Sequence, residues 1–416
     1  MSGPFGSTLK GDAYLSSGDI AFIRVQNRKG GFDINDNDLV YISNKDNEKI
    51  KSSSLQEGDL ILSKVGNSIG YFAKVSSDLG KCNISENNIG IKLSSYSDIE
   101  KSFILTYLNA KYANKLVLRR KSGNAQPKIN VDDLCRIPIL IFPKLSENIH
   151  NLIQLHEAYL NQSILSYKQA EDILNKELGI TNIENTKNYS VKSFSESFGE
   201  SNRLDAEYYQ DKYTQLFDII KNGKQLKELV TITKSIEPGS DEYKDEGIPF
   251  LRVSNLTKFG LTDSNVFLDR KKYENLLKPR KDTILFSKDG SIGIAYKAES
   301  DLDCITSGAL LHLSVKKTTI LPDYLALVLN SKIVQLQAER DSGGSIINHW
   351  RLPEIEMVLI PMLDYDIQNQ ISQKVQESFK LRKDSKNLIN VAIRAVELAI
   401  EKNEEYASQW LIENSN

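Results

Sequence analysis

Phe22-Ile23-Arg24-Val25-Gln26-Asn27 returns as Phe250-Leu251-Arg252-Val253-Ser254-Asn255, and further matches follow each copy in the same order. Ile61-Leu62-Ser63-Lys64, then Ser68-Ile69-Gly70 and Lys74, answer to Ile284-Leu285-Phe286-Ser287-Lys288, then Ser291-Ile292-Gly293 and Lys297. Leu108-Asn109-Ala110-Lys111 answers to Leu329-Asn330-Ser331-Lys332, Ser122-Gly123 to Ser342-Gly343, and Ile137-Pro138 to Ile360-Pro361. A collinear series of this kind marks an internal duplication, with a period of about half the chain. The duplication speaks to architecture and does not by itself name a ligand.

Within each copy, short apolar and β-branched runs at 18–25 and 58–63, and again at 248–253 and 283–286, predict strands. Ser-Ile-Gly then marks a tight turn, where glycine permits positive φ or close approach of another backbone. A helix is expected over 97–120 and over 321–340, the latter with Pro322 in its first turn, where a missing N–H costs little. A last strand is expected at 137–141 and at 358–361, its proline suggesting an edge. Each copy is thus a mixed α and β unit leading into a long helix.

In the first long helix Ile149, Ile153, His156, Leu160, Ile164, Tyr167, Ala170, Leu174 and Leu178 recur at three- and four-residue steps. Ile367, Ile371, Val375, Phe379, Ser385, Leu388, Ala392, Val396 and Ile400 give a looser second seam. Helices of about 30 residues, about 45 Å long, would not be stable alone, so the two are expected to pack against each other as an antiparallel, coiled-coil-like pair. The expected fold is α+β: mixed domains at 1–143 and 203–361, long helices at 144–180 and 362–405, a polar linker at 181–202 and a tail at 406–416.

The chain has 416 residues, 40% apolar and 26% charged, with a net charge of −2. That suits two or three domains with real cores. No apolar run approaches the roughly 18 to 20 residues that span a bilayer, and residues 1–6 lack the regions of a signal peptide, so a cytosolic protein is expected. Cys82, Cys135 and Cys304 are isolated and are expected to be buried small apolar residues. The charge balance is not that of an autonomous nucleic-acid binder, yet charge is segregated. Lys111, Lys115, Arg119, Arg120, Lys121 and Lys128 form a run with no acidic residue, and 270–281 holds a second basic cluster.

Taken together, F-[IL]-R-V-x-N, S-I-G and I-P, in that order, duplicated and each time followed by a long helix, resemble the specificity subunit of Type I restriction-modification systems over essentially the whole chain. Arg203-Leu204-Asp205-Ala206-Glu207-Tyr208-Tyr209 is similar to the segment that introduces a target recognition domain in that family. The resemblance implies two target recognition domains, each reading one half of a split double-stranded DNA target. It also implies two antiparallel helices that dock methyltransferase subunits and, through them, restriction subunits. No cofactor is implied in this chain; S-adenosylmethionine and ATP would sit on the partner subunits. One departure stands out. About 40 residues lie between Arg203 and Gly247-Ile248-Pro249, whereas fewer than 20 precede Gly18. The first domain is therefore expected to be completed by C-terminal residues such as 406–412, or by a partner chain.

The duplication sorts candidate residues. If the domains read different bases, a base-reading residue differs between copies, while a fold residue or phosphate contact can be shared. Arg24 and Arg252, Lys64 and Lys288, Lys74 and Lys297, Lys111 and Lys332 are shared. With Arg119, Arg120, Lys121 and Arg340 they are candidates for phosphate contact, against an internal salt bridge or plain solvation. Asn124, Gln126 and Lys128 after Ser122-Gly123 differ from Ser345, Asn348, His349 and Arg351 after Ser342-Gly343. These, followed by Asn67, Tyr71, Asp289 and Tyr296, are candidates for base readout, against ordinary loop solvation.

No Gly-x-Gly nucleotide loop follows a strand, and there is no P-loop and no Asn-Pro-Pro-aromatic motif. His150, His156, His312 and His349 lack metal-ligand spacing and are expected at the surface or in the helix seam, while Asp132-Asp133 is best explained as a helix start. A non-catalytic recognition module is expected. The alternatives are the recognition subunit of another methyltransferase-based defence system, an enzyme with an unrecognised site, and a coiled-coil scaffold without DNA contact.

Overall fold

The computed structural model describes the chain except for residues 5–7, 10–12, 28–31, 35–38, 67–68, 124–126, 181, 188, 200, 317–318, 343–348 and 415–416. The chain divides into two compact units, Met1–Leu160 with Arg382–Asn416, and Asn161–Leu381.

In unit 1 strand Ile20–Ile23 lies antiparallel to Val40–Ile42 and parallel to Cys82–Ile84. Strand Leu60–Ser63 centres a second sheet, antiparallel to Phe72–Lys74 and to Asn88–Ile91. Its side chains alternate between two cores: Leu60 and Leu62 pack with the helices, Ile61 with Ile23, Cys82 and Ile84. Burial on both faces is why the run is apolar throughout. Unit 2 repeats the plan. Ile248–Leu251 is antiparallel to Phe267–Leu268 and parallel to Ile305–Thr306, while Ile284–Ser287 is antiparallel to Ala295–Lys297 and Leu310–Val315. The asparagine closing each F-[IL]-R-V-x-N stretch has a structural task. Asn27 and Asn255 accept, through Oδ1, the backbone N–H of Arg24 and Arg252 at 3.0 Å, fixing a single 3-10 turn.

The helices expected at 97–120 and 321–340 are each broken, into Asp98–Asn109 with Lys111–Arg119 and Pro322–Asn330 with Lys332–Asp341. A shared asparagine marks both breaks. Asn109 bonds the N–H and C=O of Phe72 at 3.0 and 2.9 Å, and Asn330 those of Ala295 at 3.0 and 2.7 Å. The following residue, Ala110 or Ser331, is extended, with ψ of 149° or 163°.

The two units are completed differently. In unit 2 Val230–Lys234 adds a fourth strand beside Leu310–Val315, and Lys224–Gln225 pairs with Leu359–Ile360. In unit 1 residues 1–3 occupy the place of that fourth strand: the Met1 ammonium donates to the Gly90 carbonyl at 2.7 Å, and Gly90 N–H donates to the Met1 carbonyl at 2.8 Å. Residues 406–416, read from sequence as a tail, belong instead largely to helix Glu404–Asn414, which sends Ala407 and Leu411 into the unit 1 core. Glu404 accepts from the N–H groups of Lys144 and Leu145 at 2.6 and 3.2 Å. Residues 137–141 form no strand, contrary to expectation. They have no counterpart of Lys224–Gln225 beside them among the described residues, and Ile139, Leu140 and Ile141 are exposed.

The long helices are Pro143–Glu177 and Tyr365–Glu401. In unit 1 Ile149, Leu152 and Ile153 share a core with Ala392, Ala395, Val396 and Ala399, and His156 Nδ1 lies 2.6 Å from Ser385 Oγ. In unit 2 Tyr167, Ala170 and Leu174 share a core with Ile371 and Val375, and Ser163 Oγ lies 3.0 Å from Ser378 Oγ. The seam runs through Ser163 and leaves Ile164 exposed, a correction to the expected register. The 181–202 stretch is more than a linker: Ile183 is buried and its carbonyl accepts from Lys332 Nζ at 3.0 Å. Cys82 and Cys304 are buried, but Cys135 is exposed. Among the described residues no helix is long and apolar enough to cross a membrane.

His312 is neither at the surface nor in the helix seam. It sits 2% exposed on strand Leu310–Val315, with Nε2 2.7 Å from Thr306 Oγ1 and no hydrogen-bond partner for Nδ1 among the described residues. Burial pushes its pKa down from 6.5 to about 4. The folded protein therefore holds the neutral ring while the unfolded chain takes up a proton below pH 6.5. This contribution is complete above that pH and is lost as pH falls towards 4. Urea unfolding should show unit 2 losing about 2 kcal/mol between neutral pH and about pH 5, a loss that His312→Leu removes.

Candidate nucleic-acid interface

In each unit the loop after the central strand meets the loop after the broken helix. In unit 2 strand Ile284–Ser287 runs into Lys288 and Asp289, and Gly293, at φ +78°, turns the chain back by donating its N–H to Ser287 O at 2.9 Å. Gln335 Nε2 holds the Gly293 carbonyl at 2.7 Å. Across from this loop, Trp350 N–H donates to Lys288 O at 2.9 Å, and Asp289 forms an antiparallel bridge with His349. Trp350 is fully buried against Phe286 and anchors the crossing. Unit 1 has the same frame. Ile129 N–H donates to Lys64 O at 3.0 Å, Val65 bridges Lys128, and Asn114 Nδ2 holds the Gly70 carbonyl at 2.7 Å. A Cβ on Gly70 would stand 2.7 Å from that Asn114 nitrogen.

The side chains at the crossing are what differ. Unit 1 presents exposed Lys128 opposite buried Val65. Unit 2 presents Asp289, bonded to Lys288 Nζ and, at 2.8 Å, to His349 Nδ1. Partial burial opposes the Asp289 charge, but hydrogen bonds from Lys288 and His349 outweigh it and hold the carboxyl below its ordinary range. Of the other readout candidates, Tyr71 is exposed, and Arg351 is exposed but bonded to Glu354. Tyr296 is turned inward and packs against Phe379. Asn67, Asn124, Gln126, Ser345 and Asn348 lie outside the described residues.

Several cations expected at phosphates are committed to the protein. Lys297 is 8% exposed and pairs with Asp323 at 2.9 Å and Glu299 at 3.1 Å. Lys74 pairs with Glu157, Lys111 with Glu401 at 2.6 Å, and Lys288 with Asp289. Lys64 donates to Ser2 Oγ at 3.3 Å and Lys332 to the Ile183 carbonyl. Arg340 is wedged between the Tyr208 and Phe217 rings, 4.8 and 4.2 Å away, and bonds Asp341 at 2.7 Å. Shared cations mostly build the fold, because a charge that must be half-buried needs a fixed counter-charge. Arg24 lies beside the Tyr14 ring, and Arg252 is exposed.

Lys115, Arg119, Lys121 and Lys128 remain exposed in unit 1 without an ion pair among the described residues, and Arg120 donates only to the Arg136 carbonyl, at 3.4 Å. Arg136 joins this patch and was missed from sequence, since Asp132-Asp133 precedes it; both acids lie in the first turn of helix Val131–Cys135, capped by Asn130. Unit 2 has no such patch among the described residues. Cations of unit 2 are matched by acids, Lys212 to Glu339, Arg203 to Asp205 and Arg351 to Glu354. The basic cluster at 270–281 is likewise answered by Glu274, Asp301 and Asp303.

Residues 221–393 match the family described as the Type I restriction modification DNA specificity domain. That stretch is less than half of the chain, and over it the chain is similar to the family. The matched stretch takes in most of unit 2, including both loops at the Asp289–His349 crossing. A Type I restriction enzyme EcoBI specificity subunit from Escherichia coli is 26% identical over 192 residues, 43% of this chain and 39% of that protein's length. Among solved structures, the chain is similar to a Type I restriction-modification S subunit from M. genitalium, at 13% identity over 95% of this chain and 92% of the other, with a TM-score of 0.39. An HsdS subunit from Thermoanaerobacter tengcongensis shares 15% identity over 92% and 90% of the two chains, with a TM-score of 0.30.

Proposed function

We propose that this chain is the DNA-recognition subunit of a Type I restriction-modification complex. Each unit reads one half of a bipartite duplex target, and the long helices dock methyltransferase subunits and, through them, restriction subunits. The chain itself performs no chemistry in this reading; S-adenosylmethionine and ATP are held by its partners, in the cytosol. The observation that carries the proposal is the duplicated loop crossing, in which one backbone frame presents Val65 and Lys128 in one copy and Asp289 and His349 in the other. A shared frame with exchanged tips is what independent reading of two half-sites requires. Mapping methylated sites in cells with the cognate methyltransferase, with and without this chain, tests it directly. A split target should appear only with the chain, and replacing residues 1–143 should change one half of it; a replacement that changes neither half refutes the reading.

The exposed cations of unit 1 supply sequence-independent affinity by displacing counterions from the phosphates. Lys115→Ala, Arg119→Ala and Lys121→Ala combined should make the slope of log K against log salt shallower by up to about 2.7, at about 0.9 for each phosphate no longer neutralised. Duplex binding by the assembled complex over a salt series measures this, and an unchanged slope would remove the patch from the interface.

A further inference from the structure

At the loop crossing of unit 2 a histidine is held by its neighbour in a single orientation. His349 Nδ1 lies 2.8 Å from Asp289 Oδ1, while Lys288 Nζ bonds Oδ2 of the same carboxylate. The backbone bridge between Asp289 and His349, with buried Trp350 next in sequence, fixes both side chains from below. The imidazole is nonetheless 62% exposed, and its Nε2 has no partner among the described residues.

We infer that His349 is a base-reading residue of unit 2 and that Asp289 positions it to accept a hydrogen bond from the exocyclic amino group of adenine or cytosine; this rests on the DNA-recognition reading above. An ionised carboxylate only accepts, so Nδ1 carries the ring proton and donates it to Asp289. In the neutral ring Nε2 is then a lone-pair acceptor facing outward. In the major groove adenine N6 and cytosine N4 offer donors, whereas guanine O6 and thymine O4 place an acceptor where Nε2 would meet it. Unit 1 has Val65 and Lys128 at the corresponding places, so this preference belongs to one half-site only.

The test is a methylation map made with the complete complex. His349→Ala and Asp289→Ala should relax the same single base pair of one half-site by about tenfold in relative methylation, leaving the other half unchanged. Asp289→Asn, whose amide oxygen still accepts from Nδ1, should keep most of the discrimination, which a merely destabilised loop would not. The inference is overturned if His349→Ala leaves the target unaltered, or if it lowers methylation evenly over all sequences as removal of a phosphate partner would. A wild-type complex that methylates no split target would sink the DNA-recognition reading itself, a separate and recognisable failure.

Discussion

Lys297→Ala is expected to destabilise unit 2 by about 3 to 5 kcal/mol, the cost of leaving a buried charge without its partner. Lys297 and Asp323 are each 8% exposed and stand 2.9 Å apart, with Gln376 Nε2 bonding the other Asp323 oxygen at 2.6 Å. Burial by itself would lower the lysine's pKa; the hydrogen bond and charge of Asp323 more than reverse this and hold the ammonium above its ordinary value. Removing the ammonium strands Asp323 among Ala326, Leu327 and Phe379. Urea unfolding should show the loss, and the pair Lys297→Met with Asp323→Leu should restore most of it. If the single variant costs less than about 1 kcal/mol, the value of a surface pair, the ion pair is not the structural element described above.

Ending the chain after Lys402 should destabilise unit 1 by roughly 4 kcal/mol or more. The deletion uncovers the core that Ala407 and Leu411 close, on the scale of losing a large buried side chain, about 2 to 5 kcal/mol. It also removes the Glu404 carboxylate that caps the first N–H groups of the Pro143–Glu177 helix, worth about 1 kcal/mol. Leu411→Ala alone should give a milder loss of the same kind. Hydrogen exchange read peptide by peptide should rise throughout unit 1 and stay unchanged in the Ile284–Ser287 and Leu310–Val315 strands. Equal loosening of both units would contradict the division of the chain.

Much of the architecture was legible because duplication makes each copy a control on the other. The strands around Ile20–Ile23 and Leu60–Ser63, the glycine turns and the two long helices follow from apolar runs and spacing that local chemistry dictates. What local chemistry does not carry was missed. The helix break after Asn109 depends on bonds to Phe72, 37 residues away, and of the two last strands expected, 358–361 forms at Leu359–Ile360 beside Lys224–Gln225 while 137–141, with no such partner among the described residues, does not. The same limit applies to the candidate site. Lys74, Lys111 and Lys297 read as exposed cations until Glu157, Glu401 and Asp323 are brought beside them. Comparing copies did single out Asp289 and His349, although nothing in the sequence put them in contact.

Helix Glu404–Asn414 meets Lys144 across 260 residues, whereas unit 2 is one unbroken stretch of chain. During synthesis unit 2 can therefore reach its final form while unit 1, begun earlier, still waits for its closing helix. The half of the molecule made first is the half finished last, and for that interval its open core is what a chaperone would meet.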